Sequence, residues 1–229
     1  MNTAIIVAAG SGQRFGGDIP KQFIEIGGKP IIIHTIEKFE ACDLVDEIVL
    51  VVGESVRTYC ENLLSRFRLT KRAGIATGGA SRVISVVNGL RRSTAGDEDI
   101  VAVHDGVRPF VSPDEIALVI SKAAESGAAC LVADVVDTIK EVADGNIVRT
   151  VDRAKLRRAL TPQAFRRKIL EYALDQTQLD DTITDECLLV ERLGIQIAAV
   201  PGTSGNIKIT RPEDVILAEA ILKQQGAAA

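Results

Sequence analysis

The segment AIIVAAGSGQRFGGDIPKQF, residues 4–23, joins a short apolar run to a glycine-rich loop that carries basic side chains. Further runs rich in Val, Ile and Ala follow along the chain and alternate with longer amphipathic stretches. Such alternation is typical of strands and helices wound around a mostly parallel sheet. The predicted strands are residues 4–9, 47–53, 100–105, 129–135 and 196–202. Because these runs are apolar throughout, we expect the strands to be buried on both faces.

Seven amphipathic segments between these runs predict helices. They lie near residues 30–41, 55–66, 81–93, 113–126, 164–175, 184–193 and 212–224. Two helix starts carry a capping signal, in which Ser112 or Thr210 precedes a proline and a glutamate follows three residues later. No linker divides the chain, so we expect residues 1–229 to form one domain of the α/β class with a doubly wound sheet.

Residues 137–151, DTIKEVADGNIVRTV, depart from this pattern. The segment alternates as a strand, turns at Asp144-Gly145 and alternates again, which predicts a β-hairpin. A two-stranded ribbon is marginal in water unless its apolar side chains find a partner surface. The side chains concerned are Ile139, Val142, Ile147 and Val151. We therefore expect this β-arm to pack on a second subunit.

The composition excludes several classes of partner. The 229 residues carry a formal net charge of −4, which gives no support for nucleic-acid binding. The start of the chain lacks the features of a signal peptide, and no apolar run reaches the length of a membrane span. We therefore expect a cytoplasmic protein without a membrane or nucleic-acid partner. Four widely spaced cysteines are expected to be buried free thiols: Cys42, Cys60, Cys130 and Cys187.

The loop after the first predicted strand is the chemically richest segment. Arg14 lies among four glycines, and Lys21 follows. The glycines are Gly10, Gly12, Gly16 and Gly17. Glycines at the carboxyl end of a parallel strand let backbone N–H groups approach phosphate oxygens, since no Cβ blocks the contact. The segment thus predicts a phosphate-binding loop to which two side chains add positive charge.

Three other interpretations of this loop compete with a phosphate-binding loop of this kind: a dinucleotide site, a Walker A loop and a simple glycine-rich turn. A dinucleotide site needs G-x-G-x-x-G and an acidic ribose ligand about 20 residues later. Here Phe15 occupies the place of the third glycine, and Glu37 falls inside a predicted helix. A Walker A loop needs a lysine followed by serine or threonine, and that sequence is absent. A glycine-rich turn with solvated charges remains the simplest alternative.

Later segments of the chain point to a specific family. Together with AAGSGQR and PKQF, they resemble the 2-C-methyl-D-erythritol 4-phosphate cytidylyltransferase family of sugar-phosphate nucleotidyltransferases. The segments are HDGVRPF (104–110), VDRAKLRRALTPQAF (151–165), TITDE (182–186) and NIKITRPED (206–214). The resemblance runs in order from residue 4 to about residue 222. It implies a Rossmann-like fold, a homodimer interlocked by the β-arm, and Mg²⁺-dependent transfer of CMP from CTP to 2-C-methyl-D-erythritol 4-phosphate. The products would be 4-diphosphocytidyl-2-C-methyl-D-erythritol and pyrophosphate.

The resemblance also implies roles for individual residues. Arg14 and Lys21 would stabilise the transition state at the α-phosphate of CTP, and Arg153 and Lys208 would position the acceptor. Thr138 would reach the acceptor site of the neighbouring subunit. In the family, the position that matches Thr161 borders the acceptor site. The residues that would hold the nucleotide are Ala8, Ala9, Gly10, Ser11, Gly12, Gly79, Ala80 and Ser85.

Nucleotidyl transfer needs no covalent residue, because the ionised acceptor phosphate can attack the α-phosphorus directly. Positioning and charge neutralisation are the enzyme's whole task. Mg²⁺ prefers oxygen ligands and is usually bound through substrate phosphates, here those of CTP. Asp105, at the end of a predicted strand, is the candidate protein ligand for the metal or contact for the substrate, with Arg108 beside it.

Each assignment has a simpler alternative. Asp105 and Arg108 could form an ion pair that only orders a loop, and Arg153 could be a solvated charge. His104 could be a packed histidine at a strand end, and residues 161–163 could be an ordinary loop.

Two rival functions follow from the same motifs. A ribitol-5-phosphate cytidylyltransferase shares the fold and the use of CTP, although AAG at residues 8–10 favours the methylerythritol enzyme. A non-catalytic nucleotide-binding module would be expected to lose one of the four basic positions. All four are present.

Overall fold

The computed structural model describes residues 1–10, 20–67, 69–178 and 182–227. Strands and helices alternate along most of the chain. The strands are β1 (Asn2–Ala8), β2 (Glu25–Ile26), β3 (Lys29–Pro30), β4 (Glu47–Val52), β5 (Arg72–Thr77), β6 (Ile100–Asp105), β7 (Ala128–Asp134), β8 (Ile139–Ala143), β9 (Asn146–Val151), β10 (Arg157–Arg166) and β11 (Ala198–Pro201). The helices are α1 (Ile31–Glu40), α2 (Arg57–Leu64), α3 (Arg82–Arg92), α4 (Pro113–Ser126), α5 (Arg167–Gln176), α6 (Glu186–Glu191) and α7 (Pro212–Ala227).

Seven of the strands form one sheet in the order β11-β7-β10-β6-β1-β4-β5. β1 pairs in parallel with both β4 and β6, whereas β10 runs antiparallel between β6 and β7. The carboxyl ends of β1, β4, β5 and β6 therefore meet at one edge, and β10 passes this edge on its way into the sheet. The prediction of an α/β fold with a mostly parallel sheet is confirmed.

Helices cover both faces of the sheet, as expected for a doubly wound fold. One apolar cluster joins the sheet to α1, α2 and α4, and a second joins it to α3, α5 and α6. Alternate residues of β1 enter the two clusters, since Ala4 and Ile6 belong to the first and Ile5 to the second. All residues of β4 and β6 are buried. The expectation of strands buried on both faces is confirmed for these two.

The sequence prediction missed two strands of the sheet. β5 and β10 contain arginines, and β10 also contains Pro162, so neither forms the unbroken apolar run that marks the other strands. The helix predicted from residue 164 was wrong at its start, because β10 continues to Arg166 and α5 begins only at Arg167. Tertiary pairing on both sides of β10 outweighs the local pattern.

The two predicted helix caps differ in the structure. Ser112 forms a complete capping box with Glu115 at the start of α4, as expected. At α7 the side chain that reaches back belongs to Asp214, not Glu213. Its Oδ2 accepts hydrogen bonds from the Thr210 backbone N–H at 2.7 Å and the Thr210 hydroxyl at 2.9 Å. The helix start is correct, but the capping residue was misassigned.

The predicted hairpin is confirmed as β8 and β9. Asp144 and Gly145 both have positive φ, 48° and 78°, which is the geometry that an Asp-Gly turn provides. Several large apolar side chains of this segment face solvent, including Val142 at 58% exposure and Ile147 at 67%. The β-arm is thus present, and its packing on a second subunit stays a prediction.

Two further expectations concern the whole chain. All four cysteines are buried and free. Of the helices in the described ranges, none combines the length and apolar character needed to cross a bilayer.

Candidate active site

A cavity of about 450 Å³ opens at the carboxyl edge of the sheet. It is lined by the end of β1, the start of α3, the end of β6 and two lysines from distant segments. Most of the predicted nucleotide-binding residues and two of the basic residues line it: Ala8, Ala9, Gly10, Gly79, Ala80, Ser85, Lys21 and Lys208. Ser11, Gly12 and Arg14, which were predicted to bind CTP, lie outside the described residues.

The segment that follows the glycine loop is fastened to β1 by a buried amide. Gln22 Nε2 donates a hydrogen bond of 2.8 Å to the backbone oxygen of Ala8, and Gln22 is almost completely buried. This contact fixes the short helical turn Lys21–Phe23 beside the strand end. Lys21 is thereby held at the cavity wall by its immediate neighbour.

The loop before α3 forms another part of the cavity wall. Ser81 caps the helix through a hydrogen bond from the backbone N–H of Ile84 at 3.3 Å. The hydroxyl of Ser85 donates to the backbone oxygen of Ser81 at 2.9 Å and accepts from the N–H of Gly79 at 3.0 Å. Ser85 therefore holds the loop shape, and the Gly79 N–H is already committed within the protein.

Asp105 is the centre of a charge cluster at the end of β6. Three cationic side chains contact its carboxylate: Lys208 Nζ at 2.8 Å, Arg82 Nε at 3.1 Å and Arg108 Nε at 3.4 Å. Although burial opposes ionisation, the charges of Arg82 and Lys208 hold the pKa of Asp105 well below its usual range. The carboxylate is thus ionised at neutral pH and organises three cationic side chains.

Arg82 connects this cluster to a second carboxylate. Its Nη1 donates to Glu186 Oε1 at 2.5 Å while its Nε contacts Asp105. Glu186 is fully buried, and burial raises the pKa of its carboxyl group against the opposing effect of Arg82. Burial acts against the charge of Arg82 as well, but the two carboxylates raise its pKa overall. The guanidinium therefore stays charged between Asp105 and Glu186.

His104 and Thr161 fix the backbone beneath the cluster. The Nε2 of His104 lies 3.1 Å from the carbonyl oxygen of Arg108, which can only accept, so Nε2 carries the proton. Burial lowers the pKa of His104 to about 4, so the ring is neutral and its Nδ1 accepts from the Thr161 hydroxyl at 3.0 Å. The same hydroxyl accepts from the backbone N–H of Asp105 at 3.2 Å. The proton of Thr161 is thus committed to His104.

A second cavity, of about 130 Å³, adjoins the first. Both cavities are lined by Arg82, Asp105 and Lys208, which therefore form their boundary. The smaller cavity is also lined by Arg108 and by residues of β10 that include Thr161. Arg108 is anchored there by its bond to the Asn206 backbone oxygen at 2.9 Å. The structure thus places Lys208, Arg108 and Thr161 together at this cavity, and their role in acceptor binding stays a prediction.

Two predicted acceptor-binding residues lie elsewhere. Thr138 is exposed at the start of the β-arm, and Arg153 is exposed at its end. The Arg153 guanidinium donates to the backbone oxygen of Val136. Among the described residues that line the two cavities, none belongs to the β-arm. Within one subunit, therefore, these two residues are separated from the cluster around Asp105.

The cavity offers few side chains that could bind a metal ion. In the described part of the chain, no three His, Cys, Asp or Glu side chains are grouped to hold a metal ion. Asp105 offers a single carboxylate to the cavity, and three cations surround it. This arrangement fits Mg²⁺ only when substrate phosphates supply most of the ligands.

Sequence reasoning missed several residues that build the site. Arg82, Glu186, Gln22 and Asn206 were not predicted to act there, although Glu186 and Asn206 belong to motifs that carried the family resemblance. A usable signal was present at Gln22, a polar residue inside the short PKQF segment. Nothing local marks Arg82, because its two carboxylate partners come from distant parts of the sequence.

Comparison with known proteins agrees with this geometry. The family model for 2-C-methyl-D-erythritol 4-phosphate cytidylyltransferase matches residues 2–224. An enzyme of that name from Syntrophus aciditrophicus is 46% identical over 225 residues, which cover 97% of this chain and 96% of the relative. Another from Geobacter metallireducens is 42% identical over 226 residues, covering 97% of each chain.

The fold is shared with a solved structure of the same kind. A crystal structure of 4-diphosphocytidyl-2C-methyl-D-erythritol synthase from Anaerococcus prevotii superimposes with a TM-score of 0.84. The two chains are 28% identical, and the match covers 97% of this chain and 96% of the other.

Proposed function

Because this chain belongs to the 2-C-methyl-D-erythritol 4-phosphate cytidylyltransferase family, we propose that it transfers the cytidylyl group of CTP to 2-C-methyl-D-erythritol 4-phosphate. An oxygen of the acceptor phosphate forms a bond to the α-phosphorus of CTP. The bond from that phosphorus to the bridging β-phosphate oxygen breaks, and pyrophosphate leaves with the electron pair. The products are 4-diphosphocytidyl-2-C-methyl-D-erythritol and pyrophosphate. No proton needs to be transferred when the acceptor phosphate is ionised.

The two adjoining cavities carry this proposal. The larger one, with its glycine-rich and small-residue walls, suits the nucleotide, and the smaller one suits the acceptor. The reacting phosphates would then meet at the shared boundary, where Arg82, Asp105 and Lys208 lie. Fixed positive charge at that point stabilises the negative charge that grows in the transition state.

Lys21 lines the nucleotide cavity together with residues at the start of α3. A lysine supplies a compact charge to phosphate oxygens, and an arginine supplies a planar fork. The combination of Lys21 with Arg14 therefore suits the α-phosphate. Lys208 would contact the acceptor phosphate, and the hold of Asp105 on its amino group at the boundary supports this role.

Asp105 is the protein carboxylate that would help to hold Mg²⁺, and the triphosphate oxygens of CTP would supply most of the ligands. A bound divalent ion neutralises phosphate charge and polarises the α-phosphate. The residues of the chain then act on the substrates as described above.

The active form is proposed to be a homodimer in which the β-arm of one subunit covers the acceptor cavity of the other. Two observations support this. The apolar side chains of the arm are exposed, and Thr138 and Arg153 lie on it instead of at the acceptor cavity. The dimer would supply both missing contacts, and each arm would bury its apolar surface.

The direct test is to supply CTP and Mg²⁺ with one of two acceptors and to measure pyrophosphate release. We expect turnover with 2-C-methyl-D-erythritol 4-phosphate and a much lower kcat/KM with ribitol 5-phosphate. Equal or preferential use of ribitol 5-phosphate would refute the proposed acceptor. If neither acceptor led to release of pyrophosphate, the proposed transfer would be refuted.

A further inference from the structure

Glu186 is completely buried, and in the part of the chain that the structure describes its carboxylate has one cationic partner, Arg82. Glu186 ends the TITDE segment and begins α6. Its Oε1 accepts from Arg82 Nη1 at 2.5 Å, and among the described residues Oε2 has no hydrogen-bond partner. A buried carboxylate is costly unless it is paired. The environment of Glu186 therefore directs the side chain almost entirely toward Arg82.

Arg82 is held by two carboxylates on different elements. Its Nε contacts Asp105 at the end of β6, and its Nη1 contacts Glu186 on α6. The guanidinium is a rigid planar fork, so two such contacts fix its orientation as well as its position. The side chain is 27% exposed and lines both cavities. Part of the fork is therefore accessible at their boundary.

The carboxylates that hold Arg82 are themselves anchored to the same pair of strands. Gln163 on β10 accepts the backbone N–H of Glu186 at 3.1 Å, and its Nε2 donates to Asp185 Oδ2 at 2.9 Å. Gln163 also pairs with Val103 on β6, two residues before Asp105. Asp105 and Glu186 are thus held in fixed relation by β6 and β10.

We propose that Glu186 is a positioning residue for nucleotidyl transfer, which holds the Arg82 guanidinium against the phosphates where the two cavities meet. This inference rests on the proposed function. It differs from a role in charge balance in a way that can be measured. Loss of the Glu186 charge leaves Asp105 alone against three cations, which favours binding of anionic substrates. Loss of positioning lowers the turnover rate instead.

The first test is Glu186→Gln, which keeps the shape of the side chain and removes its charge. We expect kcat to fall on the order of 10- to 100-fold, because a small misplacement of a catalytic group has effects of that size. The KM values for CTP and 2-C-methyl-D-erythritol 4-phosphate should stay the same or decrease. Glu191→Gln, an exposed residue at the other end of α6, is the matched control and should leave both parameters unchanged.

The second test is a double-mutant cycle with Arg82→Lys, since a lysine cannot hold the fork geometry between two carboxylates. Arg82→Lys alone should lower kcat. Adding Glu186→Gln to it should change kcat less than about twofold, because both changes remove the same interaction. Fully multiplicative effects would show that Glu186 does not act through Arg82 and would overturn the proposal.

Melting temperatures separate this role from a purely structural one. A lower melting temperature for Glu186→Gln with unchanged kcat would overturn the proposal. If Glu186→Gln does not fold, Arg82→Lys tests the proposal in its place. An unchanged kcat in Arg82→Lys would then overturn the proposal. A wild-type protein that releases no pyrophosphate would refute the proposed function and this inference together. An active wild type with a fully active Glu186→Gln removes the inference alone.

Discussion

The amino group of Lys208 lies 2.8 Å from Oδ2 of Asp105, although the two residues come from distant parts of the chain. Asp105 ends a central strand, whereas Lys208 belongs to the irregular segment that precedes α7. The backbone N–H of Ile209 donates to the Val107 oxygen at 2.9 Å and keeps the two segments together. One carboxylate thus collects basic side chains from separate motifs and presents them at a single boundary.

The hydroxyl of Thr161 is predicted to act through Asp105. In Thr161→Val, the Nδ1 of His104 and the backbone N–H of Asp105 both lose their partner in a buried place. We expect a loss of about 1–3 kcal/mol in the free energy of unfolding, measured with urea. We also expect a lower kcat/KM, because the support of the charge cluster loosens.

Thr161→Ser is the matched control, since it keeps the hydroxyl and should retain most of the stability and activity. A Val variant that is as stable as wild type but has a raised KM for the acceptor would instead assign the hydroxyl to direct substrate contact.

His104 should make the stability of the protein depend on pH. Its pKa is lowered from 6.5 to about 4 in the folded state, so between these values the unfolded chain binds a proton that the folded chain does not. Stability from this group is therefore complete above pH 6.5, falls as the pH drops toward 4, and falls no further below it. The total loss is about 3 kcal/mol, at about 1.4 kcal/mol for each pH unit.

Urea unfolding at pH 7.5 and pH 5 measures this effect when wild type is compared with His104→Gln. The variant should have the weaker pH dependence across this interval. Burial also lowers the pKa of the other histidine, His34. His34→Gln therefore measures the contribution of that residue separately. The assignment fails if His104→Gln and wild type lose equal stability between the two pH values.

Lys21 and Arg153 should affect different kinetic parameters. Lys21→Ala removes a charge from the nucleotide cavity, and we expect kcat to fall on the order of 10²- to 10³-fold. Arg153→Ala would remove the proposed ground-state contact to the acceptor and should raise the acceptor KM roughly 10- to 150-fold, the equivalent of about 1.5–3 kcal/mol. Steady-state kinetics with each substrate varied in turn provides the comparison.

Lys122→Ala, an exposed lysine on α4 paired with Glu125, is the control and should behave as wild type. If Arg153→Ala raised the KM for CTP and left that for the acceptor unchanged, its assignment to the acceptor would be wrong.

The β-arm is predicted to complete the site of the neighbouring subunit. A mixed dimer of one Lys21→Ala chain and one Arg153→Ala chain would then contain one intact site, because the intact Lys21 and the intact Arg153 would serve the same active site. The mixed dimer, purified through two different tags, should show about half of the wild-type activity at low acceptor concentration. If Arg153 served its own subunit, both sites would be defective.

The dimer itself can be tested by Ile147→Asp, which places a charge on the exposed arm. Light scattering should then give the monomer mass together with reduced activity. Leu118→Asp, at another solvent-exposed apolar position on α4, should remain a dimer. A dimer that survives Ile147→Asp with full activity would count against the arm as the interface.

Sequence patterns predicted much of the fold because burial on both faces leaves long apolar runs, as in β4 and β6. This criterion does not find β10. Its first residues are charged, and a bulge between Ala159 and Gln163 interrupts the apolar pattern. The hairpin could be located because its turn needs positive φ at two adjacent residues, and the sequence Asp-Gly favours that geometry.

The candidate site was predictable where a motif carries its own chemistry, as at Lys21, Asp105 and Lys208. Arg82 and Glu186 could not be paired from the sequence, because their contact depends on how α3 and α6 pack against the same sheet. Arg153 shows a different limit. Its exposed position away from both cavities fits the proposed acceptor contact only if a second subunit supplies the cavity, and the pattern of a single chain does not position that subunit.

Gly78 and Ala9 meet across the end of β4, and a Cβ built on Gly78 would lie 2.2 Å from the Cβ of Ala9. Neither atom could move aside, since both are attached directly to the backbone. The two positions therefore share room for a single methyl group. An engineer who wishes to enlarge residue 78 must shrink residue 9 in the same step, and that second change would reshape a wall of the nucleotide cavity.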